Sequence, residues 1–399
     1  MFIPILFAQT PPTLVDSMKI TPVAALERLF ISPSPKAEWF ADSFLSQIPL
    51  TPIEQLVAEF RTSLGAYQSV QPDSDGYLVQ FEKGKLSAQI SVNEAGQIIG
   101  LLLQPRSDAI APPQAIKQLQ ALPGQTNLLI LEGNTELVAH NADRPLAVGS
   151  AFKLAVLAAL QEQIKKGDPL PLSRRTRSWH NVVELRPEDK SLPSGILQTW
   201  FDGALLTVQT LATLMISQSD NTATDTLIHL MGREAIAPFA SRNRPLLTTR
   251  EFFALKNPDN EALLKRYQTG DIQQNREVLT ELVSAPLPDA SLFEGKPVSL
   301  EIEYFFTPRE LCELMQKVAD LPLMSVNPGG SLVNPAQWKR VSFKGGSEPG
   351  VINLTTSLVS LSGKTYYVSA TWNNPEAALD ETSFLTLYSG ILEGLRTQR

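Results

Sequence analysis

The stretch AVGSAFKLAVLAALQEQIKKG, Ala147 to Gly167, is filled by Ala, Leu and Val and ends on Gly, a pattern that predicts a buried helix stopped at Gly167. It nevertheless opens on Gly149-Ser150 and carries Lys153 beside Ala151, Phe152 and Leu154. Lysine is almost never fully buried without a partner. Residues three apart lie on one helix face, so the Ser150 hydroxyl and the Lys153 amine can enter the same space. Taken alone, Ser150 reads as a helix N-cap and Lys153 as a surface lysine whose stem lies over apolar neighbours.

Two later stretches change that reading. ISQSDNTATD (Ile216–Asp225) places Ser219-Asp220-Asn221 at the junction of two helical patterns, and VSFKGGSEPG (Val341–Gly350) places Lys344-Gly345-Gly346-Ser347 at the end of a strand. A serine hydroxyl is a feeble nucleophile at neutral pH and needs a base beside it. Lys153 qualifies, directly or through a water, if apolar neighbours desolvate it and a second cation, Lys344, lowers its pKa further. Ser219 is then placed to relay a proton toward the leaving group, and Asn221 to hydrogen-bond a substrate amide. Asp220 reads as a structural carboxylate that binds backbone amides in the turn. Gly345 and Gly346 remove side chains where a substrate approaches the strand, although the same pair also suits a simple turn.

The three motifs S-x-x-K, S-D-N and K-G-G stand in this order on a helix start, an inter-helix turn and a strand end. The set resembles that of the penicillin-recognising serine hydrolases, and among them the class A β-lactamases. The resemblance extends over residues 114–399 and includes SLPSGILQ, RPLLTTREFF and FKGGSEPGVINL. It implies a β-lactamase/transpeptidase-like fold and an acyl-enzyme at Ser150. It also implies an oxyanion hole made by the backbone N–H groups of Ser150 and Ser347, with Lys344 offering positive charge to an anionic substrate. Two departures stand out. Gly345 replaces the hydroxyl residue that helps to hold a β-lactam carboxylate, and no E-x-x-L-N run occurs between Asn221 and Lys344. The nearest carboxylates are Glu234, Glu251 and Asp259, and Leu255 falls one place too late after Glu251. Without a water-activating carboxylate, deacylation is expected to be slow.

The surrounding sequence predicts an α+β fold. Strands TNLLILEG and TELVAHNAD precede the Ser150 helix, a helical middle follows, and VSFKGG, VINLTTSLVSLSG and TYYVSATWNN lead into a C-terminal helix from about Glu381. Strands from both ends therefore build one antiparallel sheet beside an all-helical lobe. Upstream, ISPSPKAEW and QPRSDAIAPPQ bracket two helical patterns and three strands. That element order resembles the NTF2-like (steroid-isomerase-like) cone fold. The domains expected are a tail over 1–35, an NTF2-like accessory domain over 36–108 and a serine hydrolase domain over 114–399. The accessory domain holds no convincing acid–base pair, which suits packing, targeting or partner binding.

With 34 basic and 41 acidic residues the formal charge is −7, which argues against nucleic acid as a partner. The single cysteine, Cys312, excludes a disulfide framework. The three histidines lie outside any nucleophile-elbow context, and His229 reads as a packing residue. Histidine, cysteine and clustered carboxylates are too few to suggest zinc, and no cofactor is expected. Trp179, Trp200 and Phe201 suit core packing better than a cleft wall. The apolar run Phe2–Ala8 is too short to span a membrane. It reads as a secretory-signal remnant or a frayed tail, so the expected location is periplasmic or secreted, otherwise cytoplasmic. The substrate expected is a small molecule: a β-lactam first, with an ester or a D-alanyl peptide behind it. The competing reading is a non-catalytic ligand-binding module on a lactamase fold.

Overall fold

The computed structural model of the chain describes residues 20–73, 76–167, 178–287, 289, 295–329 and 332–397. The segment read as a signal remnant lies outside the described residues. The chain divides into two compact units, with the boundary between Arg106 and Ser107.

The first unit holds α1 (Pro22–Ile31), α2 (Asp42–Leu45), α3 (Leu50–Leu64) and four strands, β1 (Tyr67–Asp73), β2 (Gly76–Phe81), β3 (Lys85–Val92) and β4 (Ile98–Arg106). The strands form one antiparallel meander in the order β1-β2-β3-β4. Here the expected boundary needs correction. Helix α1 falls inside the span read as a tail, yet Thr21 caps it, Pro22 opens it, and Ala25, Leu26, Leu29 and Phe30 are buried in the unit's core. Arg61 of α3 ties down its end by donating to the Leu29 and Pro33 carbonyls at 2.8 and 2.7 Å. Strand β1 was not expected either, because YQSVQPD is polar, carries a proline and lacks apolar alternation.

The second unit opens with α4 (Pro112–Ala121), β5 (Gln125–Glu132), β6 (Thr135–His140), β7 (Leu146–Ala147) and α5 (Lys153–Lys166). The helical middle contains the short pair β8 (Val182–Glu184) and β9 (Leu205–Thr207), followed by α6 (Val208–Ser217), α7 (Asn221–Met231), α8 (Arg233–Ile236), α9 (Thr249–Lys256), α10 (Glu261–Thr269) and α11 (Ile272–Leu282). Strand β10 (Phe305–Phe306), α12 (Pro308–Val318), β11 (Arg340–Glu348), β12 (Val351–Val359), β13 (Thr365–Asn373) and α13 (Glu381–Thr397) complete it. The sheet is antiparallel in the order β11-β12-β13-β5-β6, so both ends of the unit do build one sheet.

Two hydrophobic cores flank this sheet. On one face Leu128, Ile130, Val368, Ala370 and Trp372 meet α4 and α13. On the other side lies the lobe packed around α5, in which every residue from Lys153 to Leu160 is buried. A helix apolar on all sides is a buried one. Gly167 ends α5 in the left-handed conformation. On the sheet face toward the lobe, Leu129 and Leu131 cluster with Cys312 of α12, while the polar side chains of β12 and β13 bond one another: Asn353 donates to Thr371 Oγ1 at 2.9 Å, and the Thr355 and Ser369 hydroxyls meet at 3.0 Å. Pairing satisfies groups that would otherwise be costly to bury.

Candidate active site

Ser150 lies in a 3-10 turn, Gly149–Phe152, that leads into α5. Three anchors hold this turn. The side-chain amide of Asn373, at the end of β13, accepts from the Ala147 N–H at 2.8 Å and donates to the Ala147 carbonyl at 2.9 Å. The Val148 N–H donates to the Tyr304 carbonyl at 3.0 Å. The Phe152 ring stacks on Tyr304 with centroids 3.7 Å apart. Asn373 and Tyr304 were not singled out in the sequence; their partners are remote in the chain, and no local pattern marks them.

Gly346 makes the closest approach to the turn. A Cβ built there would stand 2.3 Å from both the Ser150 nitrogen and the Val148 oxygen, so only glycine fits. Gly149, at φ +48°, faces Gly346 and Ser347 across the same seam. Strand β11 is an edge strand, and the carbonyls of Val341 and Gly345 accept from Ser325 and Lys344 on its open side. Backbone groups alternate by two along an antiparallel strand, so the Ser347 N–H opens on that side as well, next to the Ser150 N–H. The two proposed oxyanion donors are thus neighbours. Gly345 has a physical reason of its own, because a Cβ there would come within 2.8 Å of the Phe343 ring and 3.1 Å of the Asn353 carbonyl.

Ser219 adopts φ +55°, a left-handed conformation that costs a non-glycine residue roughly 1–2 kcal/mol. The surrounding loop holds it there. Asp220 caps α7 through the Ala223 N–H and accepts from the N–H groups of Ile196 and Leu197 at 2.7 and 3.0 Å. Ser194 donates to the Ser219 carbonyl at 2.8 Å. A Cβ at Gly195 would collide with the Asp220 carboxylate, so the loop closes on that side chain. Asp220 is a structural residue, as its sequence context suggests.

These elements converge on Lys153. Its amine is fully buried and lies 3.2 Å from Ser150 Oγ, 3.1 Å from Ser219 Oγ, 2.6 Å from the Ser219 carbonyl and 2.6 Å from Asn221 Oδ1. Burial, then the charge of Lys344, holds this amine well below the usual lysine range. A neutral amine has two N–H bonds and one lone pair. In that form the carbonyl and amide oxygens, which can only accept, would take the two hydrogens and the lone pair would be free for one hydroxyl proton. Lys344 is buried too, donates to Ser219 Oγ at 3.1 Å and to the Gly345 carbonyl, and is lowered by burial to about 7.

Asn221 is also bonded within the protein. Its Oδ1 accepts from Lys153, and its Nδ2 donates to the Leu192 carbonyl at 2.7 Å. One Nδ2 hydrogen is thereby used, and Asn221 still lines the cleft with its second amide hydrogen. Ser150, Ser219, Lys344 and Ser347 line a cleft of about 670 Å³, floored by Phe152 and Tyr304. Trp179 packs against the lobe core, whereas Trp200 and Phe201 are exposed rather than buried, and none of the three lines the cleft. His229 meets Asp189 at 2.5 Å, away from the cleft. Among the described residues no group of three His, Cys, Asp or Glu side chains could hold a metal ion, and no helix is long and apolar enough to cross a membrane.

Glu234, Glu251 and Asp259 do not line the cleft. Glu234 pairs with Arg276 at the surface. Glu251 closes a capping box on Thr248 and pairs with Arg233 through both oxygens.

An antiparallel sheet beside a helical lobe, with one serine held between two buried lysines at their junction, defines the penicillin-recognising serine hydrolases. The chain belongs to the β-lactamase enzyme family, whose model matches residues 113–328. That match ends before β11, so the placement of Lys344, Gly346 and Ser347 rests on geometry alone. Similar solved structures include a β-lactamase from Sphaerobacter thermophilus, with 24% identity over 70% of this chain and 94% of that one and a TM-score of 0.48. A β-lactamase from Desulfarculus baarsii shares 18% identity over 73% and 100% of the two chains, with a TM-score of 0.48. PBP-A shares 15% identity over 73% and 98%, with a TM-score of 0.47. Comparison with curated protein sequences gives no match.

Proposed function

We propose that the protein is a serine hydrolase that forms an acyl-enzyme at Ser150 Oγ, with a β-lactam amide as the favoured acyl donor. The observation that carries this reading is the seat of Lys153, a buried amine 3.2 Å from Ser150 Oγ and 3.1 Å from Ser219 Oγ. In acylation Lys153 takes the Ser150 proton as Oγ bonds to the carbonyl carbon. The resulting oxyanion meets the N–H groups of Ser150 and Ser347. Ser219 Oγ, in contact with both lysines, carries a proton to the leaving nitrogen. Lys344 offers charge to an anionic substrate.

Gly345 favours a second reading as an esterase acting on an uncharged substrate, because the Phe343 ring stands where a carboxylate-binding hydroxyl would project. A purely ligand-binding module has no use for two buried amines beside one hydroxyl, since each costs stability. Intact-mass measurement after exposure to penicillins, cephalosporins and simple esters tests the assignment. A mass increment on the wild type, absent from Ser150→Ala, supports it; increments on both or on neither remove it. We read residues 20–106 as an NTF2-like accessory domain on their helices and four-stranded meander, and the chain as exported, to be tested by sequencing the mature N-terminus in cells.

A further inference from the structure

The cleft carries a second charged cluster that none of the three motifs contains. Side chains two apart on a strand point the same way, so Lys344, Gly346 and Glu348 share one face of β11. Gly346 is where that face touches the Ser150 turn. Lys344 and Glu348 therefore stand to either side of the contact with the Ser150 turn, each roughly 6–7 Å along the strand from Gly346. Lys344 reaches Ser219, whereas Glu348 reaches Lys256 at the end of α9, Oε2 to Nζ 2.7 Å. Lys256 is buried, lies 4.3 Å over the Phe252 ring and also binds Glu303 Oε1. Glu303 is buried as well, and its Oε2 has no hydrogen-bond partner.

Two carboxylates around one buried ammonium do not both ionise readily. A proton settles where no donor stabilises the charge, which is Glu303 Oε2. Burial first, and then the charge of Glu348, push Glu303 up to about 8. Burial pulls Lys256 down, but its two carboxylates outweigh that and keep it a cation. Glu348 lines the cleft with 13% of its side chain exposed. The other carboxylate on the cleft lining, Glu381, sits exposed in the first turn of α13.

We propose that Glu348 is the base that activates the hydrolytic water in deacylation, with Lys256 and Glu303 as positioning residues. The proposal rests on the acyl-enzyme reading above. In the step, Glu348 takes a proton from water as the water oxygen bonds to the acyl carbon. The bond from that carbon to Ser150 Oγ then breaks, and the proton held by Glu348 returns to Oγ. The product acid leaves and both side chains are restored. The last strand thus supplies what the E-x-x-L-N run supplies elsewhere.

A fluorescent penicillin and an activated phenyl ester, followed separately for attachment and loss of the acyl group, test this on the full chain. Glu348→Gln is expected to acquire the acyl group at the wild-type rate and lose it at least about 100-fold more slowly, the lower end of general-base contributions. Undiminished acylation shows that the variant is folded. Glu348→Asp keeps the carboxylate and is expected to recover part of the loss rate, and it serves if Gln disturbs the strand. Equal loss rates in wild type and Glu348→Gln, whether fast or slow, overturn the proposal and leave the acyl-enzyme reading intact. No acyl group on the wild type with either probe overturns both.

Discussion

Lys344 carries a stability cost and a pH response in the same amine. Its folded pKa of about 7 lies below the ordinary lysine value of 10.5, so between those values the unfolded chain binds more protons than the native one. The destabilising contribution is full below pH 7 and fades as pH rises toward 10.5. Lys344→Met is accordingly expected to raise stability at neutral pH by about 0.5–2 kcal/mol while abolishing acylation, a trade read by thermal melts beside labelling rates. Because Lys344 loses its charge as pH climbs through 7, KM for an anionic substrate is expected to rise over that interval. A neutral ester should show no such rise, and steady-state profiles with the two substrates compare them. Gly346→Ala meets only backbone at 2.3 Å, so the turn itself must shift. A displacement of that kind costs about 100-fold in rate, measurable as the acylation rate. Residues of this sort were legible in sequence where the contact is local. The Ser150–Lys153 spacing foretold a shared space, and Asp220 its turn. Glu348 is not legible in this way, because the resemblance points to a carboxylate between Asn221 and Lys344, while Glu348 follows the glycine pair.

Among the elements, helices declared themselves better than the strands that steady the site. The all-apolar run of α5, its glycine stop and the capping residues of α6 and α7 are short-range signals. The pinning of β7 by Asn373 is not, since the two residues are 226 apart in the chain. Asn373→Ala would leave the Ala147 N–H and carbonyl unpaired in a buried place, at about 1–3 kcal/mol each. It is expected to lower the melting temperature and to slow acylation by loosening the Ser150 turn, read by calorimetry and by the labelling rate; unchanged acylation would separate the anchor from the chemistry. The polar strand β1 was hidden for another reason, its side chains being only partly buried and its proline breaking the pattern.

At the scale of the whole molecule, each unit has a core of its own. The first is built from α1, α3 and the four-stranded meander, and the cores of the second draw only on residues after Arg106. Residues 107–399 expressed alone are therefore expected to fold and to acylate at the rate of the full chain; insoluble or unreactive protein would show that the first unit contributes to the second. The Gly346–Ser150 seam also carries a consequence for biosynthesis. One wall of the site, and the strand that covers the open edge of β5, are made only after the helical lobe in chain order. A nascent chain halted before β11 holds the serine and Lys153 but neither Lys344 nor the second oxyanion donor. Chemical competence thus waits on the synthesis of β11, more than 170 residues after the serine.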